Sequence, residues 1–144
     1  MDEIKGSAVS PLMANTEDAF GYIAVSVRTA DGALPIERAV VTVKDEAERL
    51  LGVFFTDEDG NTPRLSVAAP PIANSESPGM PGSAFYRYNI DTDKAGYRSV
   101  RNLGVPVYPG VTSVQPVNLV PLVENGSGFE NDAIEYSESE TPNL

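Results

Sequence analysis

The most constraining feature of the chain is a run of apolar side chains that alternate with polar ones at every second position. Ile23, Val25 and Val27 alternate with Ala24, Ser26 and Arg28, and the same period recurs in four further segments. A period of two places apolar side chains on one face of a β-strand, whereas a helix would require a spacing of three or four. The faces predicted in those further segments are Ala39/Val41/Val43, Leu51/Val53/Phe55, Tyr86/Tyr88/Ile90 and Val117/Leu119.

Turn signals divide these runs at "ADG" (30–32), "DEDGN" (57–61) and "YPG" (108–110). About seven strands are predicted, near 21–29, 38–45, 49–56, 63–68, 84–93, 97–103 and 112–122. Short strands at this spacing are typical of a β-sandwich. The proline-rich stretch 69–84 cannot continue a strand and is predicted to be a long loop.

Charge divides the chain into three predicted parts. Residues 21–123 hold eleven acids and nine bases, a net charge of −2, although the whole chain has a net charge of −11. The acidic excess lies in 1–20, predicted to be a flexible N-terminal segment, and in 124–144, predicted to be a disordered acidic tail. The alternative for the tail is a short segment, "FENDAIEY" (129–136), that docks on a partner.

The same composition limits partners and location. An acidic chain without a basic stripe does not favour nucleic acid or an anionic membrane surface, and no apolar run is long enough for membrane insertion. The first residues lack the pattern of a signal peptide. The chain is therefore expected to be made in the cytoplasm, with its final location unknown.

Chemistry is constrained by missing residue types, because the chain has no histidine, cysteine or tryptophan. Catalysis by Ser–His–Asp or Cys–His groups and the usual zinc sites are thereby excluded. Asp57 and Asp59 lie in one predicted turn rather than on facing walls of a cleft, so they do not form a hydrolytic carboxylate pair. The sequence predicts no cofactor and no enzymatic activity.

The acidic stretch at 57–61 has two interpretations. Asp57, Asp59 and Asn61 supply oxygen ligands of the kind that calcium prefers, but the spacing does not fit an EF-hand loop. A hairpin turn explains more, since Gly60 can take a positive φ and the aspartates can accept hydrogen bonds from turn amides. The prediction is a turn, with weak calcium binding as the alternative.

Aromatic residues suggest a second candidate site. Tyr86, Tyr88, Tyr97 and Tyr108, together with Phe85, could line a surface for a carbohydrate or protein ligand. The alternative is that these rings pack in the core with the hydroxyl groups at its rim.

Two stretches carry a resemblance to known families. "ALPIERAVVTV" and "FTDEDGNTPRL" resemble the carboxypeptidase-regulatory-like, or transthyretin-like, β-sandwich domains, matching at Pro35–Val43 and Thr56–Gly60. A second similarity is to the N-terminal non-catalytic domain of spore cortex-lytic enzyme precursors and related peptidoglycan-binding proteins. It rests on Gly96–Tyr97 and on the run from Gly104 to Leu119. Hydroxyisourate hydrolases and intradiol dioxygenases have the same fold as the transthyretin-like domains, and both use histidines that this chain lacks.

These resemblances imply a prealbumin-like, Ig-like sandwich that serves as a non-enzymatic accessory module of a cell envelope or spore. It would bind a protein, peptidoglycan or another glycan through its loops, 69–84 above all. The alternative function is a structural subunit of a surface appendage, spore layer or virion, a homo-oligomer in which sheet edges pair between copies. A small hydrolase is the third hypothesis.

Overall fold

The computed structural model describes residues 19–71, 85–124 and 131–137, and every regular element in these ranges is a β-strand. The predicted all-β sandwich is therefore confirmed. The nine strands are β1 (Ala19–Thr29), β2 (Leu34–Pro35), β3 (Val40–Asp45), β4 (Leu50–Phe55), β5 (Leu65–Ala69), β6 (Tyr86–Asp93), β7 (Val100–Val107), β8 (Thr112–Leu119) and β9 (Ile134–Ser137).

Two sheets form the sandwich. In the four-stranded sheet, the long strand β1 is central, with β2 and β5 antiparallel to it and β8 parallel to it. The five-stranded sheet has the order β4-β3-β6-β7-β9, antiparallel except for the parallel pair β7–β9. The strands β4 and β9 therefore lie at the two ends of the larger sheet.

The core lies between the inner faces of the two sheets, and the alternation in the sequence determines which side chains enter it. Ile23, Val25 and Val27 from β1 are almost completely buried, and Val41 and Val43 from β3 meet them from the other sheet. Burial of each such side chain contributes roughly 1.5–3 kcal/mol. The remaining buried apolar residues are Ile36, Ala39, Val67, Ala69, Tyr88, Ile90, Val100, Val105, Val107, Val117 and Leu119.

Strand β9 departs from the prediction that 124–144 is disordered. Ile134–Ser137 pairs with β7, and the Ile134 N–H donates a hydrogen bond of 2.8 Å to the Ser99 carbonyl. Arg98 Nε donates to the Asp132 carbonyl at 2.7 Å. Residues 134–137 are ordered because they pair with the edge of β7, which is distant in the sequence. A segment of four residues is too short for its own pattern to predict this pairing. Residues 134–136 of the segment that was predicted to dock on a partner therefore pair with β7 of the same chain.

Other boundaries differ by a few residues. The structure has two short strands more than the predicted seven, β1 begins at Ala19 instead of residue 21, and β7 runs to Val107. Strand β2 is only two residues long and owes its existence to pairing with β1. The predicted loop 69–84, apart from 69–71, and the predicted segments 1–18, 125–130 and 138–144 lie outside the described residues.

Candidate functional site

The strand β4 is a free edge of the five-stranded sheet, since β3 is its only partner among the described residues. Its six residues, Leu50–Phe55, carry no charge. Leu50, Val53 and Phe55 expose 61%, 49% and 54% of their surface. Val53 lies opposite Thr42 and Phe55 opposite Val40, so both side chains project from the outer face of the sheet.

Some main-chain hydrogen-bonding groups of β4 face away from its only partner strand in the described ranges. The Thr56 N–H donates to the Ala39 carbonyl at 3.1 Å, on the β3 side. Because N–H and C=O groups alternate in direction along an antiparallel strand, those of Val53 and Phe55 point away from β3. We refer to Leu50–Phe55, with these outward groups, as the β4 edge.

A capped hairpin holds the β4 edge in place. Asp45 Oδ1 accepts hydrogen bonds of 2.9 Å from the N–H groups of both Ala47 and Arg49. Glu48 has φ of 66°, and a bulge between Val43 and Lys44 ends the regular register. Carboxylate caps of this kind stabilise the turn conformation, and the edge therefore projects from a defined support.

An apolar groove lies beside the β4 edge, on the side of the sandwich where the edges of the two sheets face each other. It has a volume of about 400 Å³ and includes the side chains of Phe20 from β1, Leu51 from β4 and Leu65 from β5. Phe20 and Leu51 are both exposed. The ion pair between Arg49 Nε and Asp45 Oδ2, 2.8 Å long, also lines it.

The other edges among the described residues carry features that discourage strand pairing. Strand β9, at the other end of the larger sheet, is only four residues long and carries Glu135, and β8 contains Pro116, which has no N–H group to donate. Strand β5 has five residues and is followed by Pro70 and Pro71. Proteins use short edge strands, prolines and charges to prevent unwanted pairing, and β4 has none of these.

The outer face of the five-stranded sheet is apolar at β4 and carries charged side chains at β6, β7 and β9. Arg101 is the centre of this charged cluster, with Nε 2.8 Å from Asp91 Oδ1 and Nη2 3.0 Å from Glu48 Oε1. Its Nη1 lies 3.5 Å from Glu135 Oε2 on β9, and Lys44 Nζ lies 3.0 Å from Asp91 Oδ2. The cluster therefore joins β3, β6, β7 and β9.

Two carboxylates of this cluster, those of Asp91 and Glu48, have a lowered pKa. Burial alone would raise the pKa of Asp91, but hydrogen bonds and charges from Arg101 and Lys44 outweigh burial and hold its pKa below the ordinary value. The pKa of Glu48 is lowered mainly by the hydrogen bond from Asn89 Nδ2, 2.6 Å long, and further by Lys44 and Arg101.

Stability is expected to fall on acidification because of Asp91. A carboxyl group with a depressed pKa in the folded state stabilises the fold above its unfolded pKa of about 4, and that contribution is lost as pH falls through the folded value. The free energy of unfolding, measured by urea titration between pH 7 and pH 3, should decline less steeply in Asp91→Asn than in the wild type. Parallel declines would contradict the role of Asp91.

The acidic stretch at 57–61 is a turn, as its sequence favours, but the predicted hairpin is wrong, because the strands that it connects, β4 and β5, belong to different sheets. Asp57 Oδ1 accepts hydrogen bonds of 2.9 Å from the N–H groups of Asp59 and Asn61, and Gly60 has φ of 82°. Among the described residues, no group of three or more His, Cys, Asp or Glu side chains is placed to hold a metal ion. The calcium ligands suggested by the sequence, Asp57, Asp59 and Asn61, thus have a structural explanation as turn residues.

The four tyrosines singled out in the sequence do not share one surface. Tyr88 is buried and its hydroxyl donates to the Ala68 carbonyl at 2.6 Å, and Tyr97 packs against the core beyond the far end of β6. Tyr86 is exposed at the start of β6. Near it, the Tyr108 ring lies 5.4 Å from that of Phe85, and burial raises the pKa of Tyr108.

Comparison with known proteins gives matches of fold only. No protein-family model matches the chain, and no curated protein matches it. Catechol 1,2-dioxygenase from Acinetobacter radioresistens is similar at a TM-score of 0.51 and 15% identity, over 87% of this chain and 59% of the enzyme. Neither family resemblance noted in the sequence is confirmed by these matches.

Two further solved structures are similar to the chain at slightly lower scores. A minor pilin of Streptococcus agalactiae has a TM-score of 0.49 and 12% identity, over 89% of this chain and 48% of the pilin. The TIE protein of Bacillus anthracis has a TM-score of 0.49 and 14% identity, over 72% and 17% of the two chains. At these scores the likeness carries no argument about function. The chain spans less than two thirds of the length of each of these structures.

The prediction that the chain is not an enzyme is wrong as an inference from its fold. Solved structures that match it with TM-scores of 0.50 to 0.52 are catechol 1,2-dioxygenases, which are enzymes. At 13–15% identity the likeness shows the fold alone. A fold of this class hosts both catalytic and binding functions, so fold class does not separate them.

Sequence reasoning missed the β4 edge as a candidate site. It assigned Leu51, Val53 and Phe55 to one face of a strand, whereas the bulge in β4 separates Leu51, which lines the groove, from Val53 and Phe55 on the outer face. The available signal was the continuous run "LLGVFF", apolar on both faces in a chain where most other strands alternate. Such a run is typical of a strand buried on both sides, and only the sheet order reveals that this one is an edge. No helix in the described ranges is long and apolar enough to cross a membrane.

Proposed function

We propose that this domain is a protein-interaction module that binds an extended segment of a protein partner along the β4 edge. The observation that carries the proposal is an uncharged, apolar edge strand in a protein whose other described edges are short, charged or interrupted by proline. A strand added to such an edge gains main-chain hydrogen bonds, and alternate side chains provide specificity.

The residues around β4 support both parts of this binding mode. The outward N–H and C=O groups of Val53 and Phe55 would supply the hydrogen bonds, and the exposed side chains of Leu50, Val53 and Phe55 would be covered by the partner. The groove beside Leu51 offers space for one apolar side chain of the partner. A protein partner is favoured over a glycan because the tyrosines do not form one exposed platform.

Selection of peptides from a phage-displayed random library on the immobilised protein tests the proposal. We expect the selected peptides to have alternating apolar residues and to bind at least about tenfold more weakly to Val53→Lys, because a lysine on an edge strand opposes pairing. The matched control is Val114→Lys, which replaces a valine on β8 that is somewhat more exposed than Val53. The peptides should bind this variant within about twofold of wild type. Affinities are measured by isothermal titration calorimetry.

The proposal is overturned if no peptide is selected, or if the selected peptides bind Val53→Lys as tightly as wild type. Circular dichroism of both lysine variants establishes that the sandwich is intact. If Val53→Lys does not fold, Leu50→Lys replaces it, since Leu50 is the most exposed apolar side chain of the β4 edge.

A further inference from the structure

We propose that the strand that binds the β4 edge is β4 of a second copy of this chain. The two strands would run antiparallel around a two-fold axis at Val53 and join two five-stranded sheets into one continuous sheet. This inference rests on the proposed function, because it names the partner of the same edge. Three features of the edge support it: the direction of its hydrogen-bonding groups, its apolar pattern and its terminal charges.

The direction of the main-chain groups restricts the register. In an antiparallel pair, residues that exchange hydrogen bonds must both direct their N–H and C=O groups towards the partner. Val53 and Phe55 do so, as the hydrogen bond from the Thr56 N–H to Ala39 implies. Two copies of Val53 can therefore face each other as a hydrogen-bonded pair on the two-fold axis, as a symmetric interface requires.

The apolar residues match across that axis. With Val53 opposite Val53, Gly52 lies opposite Phe54 of the other copy, and Phe55 lies next to the bulge at Leu51 of the other copy. The three residues nearest the axis, Gly52, Val53 and Phe54, therefore each face a residue without a polar side chain. The two Val53 side chains would contact each other, and the Phe55 side chains would lie beside them. These contacts would remove exposed apolar surface from water.

Charges at the two ends of the strand favour the same register. Arg49 precedes β4 with its side chain 80% exposed, and the exposed Asp57 follows β4 by two positions. The axis at Val53 brings the Arg49 end of β4 in each copy close to the Asp57 end in the other, so opposite charges approach each other at both ends of the interface.

The size of the contact predicts a weak, reversible dimer. One pair of six-residue strands buries less than the roughly 1,200 Å² that stable complexes exceed. The net charge of −2 on residues 21–123 gives the two sandwiches little mutual repulsion. Sedimentation velocity over a concentration series should therefore show a monomer at low and a dimer at high concentration, with rapid exchange.

Cysteine scanning tests the register, because the chain has no cysteine of its own. A hydrogen-bonded pair has its Cα atoms about 5.5 Å apart, which suits a disulfide. Under mild oxidation Val53→Cys should form a disulfide-linked dimer, whereas the controls Leu50→Cys and Val114→Cys should not. Non-reducing electrophoresis and mass spectrometry give the readout.

The dimer should also respond to charge at its axis. Val53→Lys places two lysines against each other and should raise the dimer dissociation constant at least about tenfold, while Val114→Lys should change it by less than about twofold. A chain that stays monomeric at every concentration, a dimer unaffected by Val53→Lys, or cross-linking of a control cysteine instead of Val53→Cys would each overturn the inference.

These results separate the inference from the proposed function. A monomer whose selected peptides still require Val53 leaves the interaction module in place and rejects the second copy as its partner. Loss of β4-dependent peptide binding and of the dimer together rejects both.

Discussion

Replacement of Gly60 by alanine is expected to destabilise the fold by about 2–5 kcal/mol, because two costs coincide at this position. Gly60 has φ of 82°, a backbone conformation that alanine adopts with strain. A Cβ atom there would lie 2.4 Å from the Val27 carbonyl oxygen, a backbone atom that cannot rotate away. The Gly60 carbonyl also accepts the Val27 N–H at 2.7 Å, so any shift strains the contact between the turn and β1.

Two other glycines separate these costs. Gly96 has φ of 91° and open space around its Cβ position, so Gly96→Ala should cost only about 1–2 kcal/mol from backbone strain. At Gly21 a Cβ would lie 2.4 Å from the Tyr108 carbonyl oxygen without a positive φ, so Gly21→Ala reports the steric cost alone. Urea unfolding of the three variants gives the comparison. Equal losses for Gly60→Ala and Gly96→Ala would show that the contact with Val27 is unimportant.

Replacement of Thr56 by valine is expected to cost about 2–4 kcal/mol, although the two side chains have nearly the same shape. The buried Thr56 hydroxyl accepts a hydrogen bond of 2.8 Å from the Ala39 N–H and donates one of 2.6 Å to the Ile36 carbonyl. Valine would leave both main-chain groups without these partners in a buried environment. The free energy of unfolding in urea measures the loss.

Thr92 provides a matched control for the same substitution. Its hydroxyl is buried and has no hydrogen-bond partner among the described residues. Thr92→Val should therefore be neutral or slightly stabilising, because it removes an unsatisfied polar atom. Thr56→Ser keeps the hydroxyl and should recover most of the stability lost in Thr56→Val. A similar loss in Thr56→Val and Thr92→Val would attribute the effect to shape rather than to hydrogen bonds.

Both predictions concern the motif "TDEDG", whose residue types were sufficient to predict a turn. Glycine at the positive φ and an aspartate that accepts turn amides are local requirements, and the sequence shows them directly. The sequence does not show that the turn packs on β1, through the Gly60–Val27 contact and a bridge between Ser26 and Asn61. The large cost expected for Gly60→Ala comes from this non-local contact.

The sequence determined seven of the nine strands and much of the core, and the tertiary structure decided the other two strands and the candidate site. Alternation at every second residue is a local property, and it placed Ile23, Val25, Val27, Val41 and Val43 in the core because a buried face admits few polar groups. Which strand becomes an edge depends instead on pairing between distant segments. The β4 edge is exposed because the sheet ends there, and β9 is ordered because β7 offers it an edge; neither pairing leaves a period in the sequence.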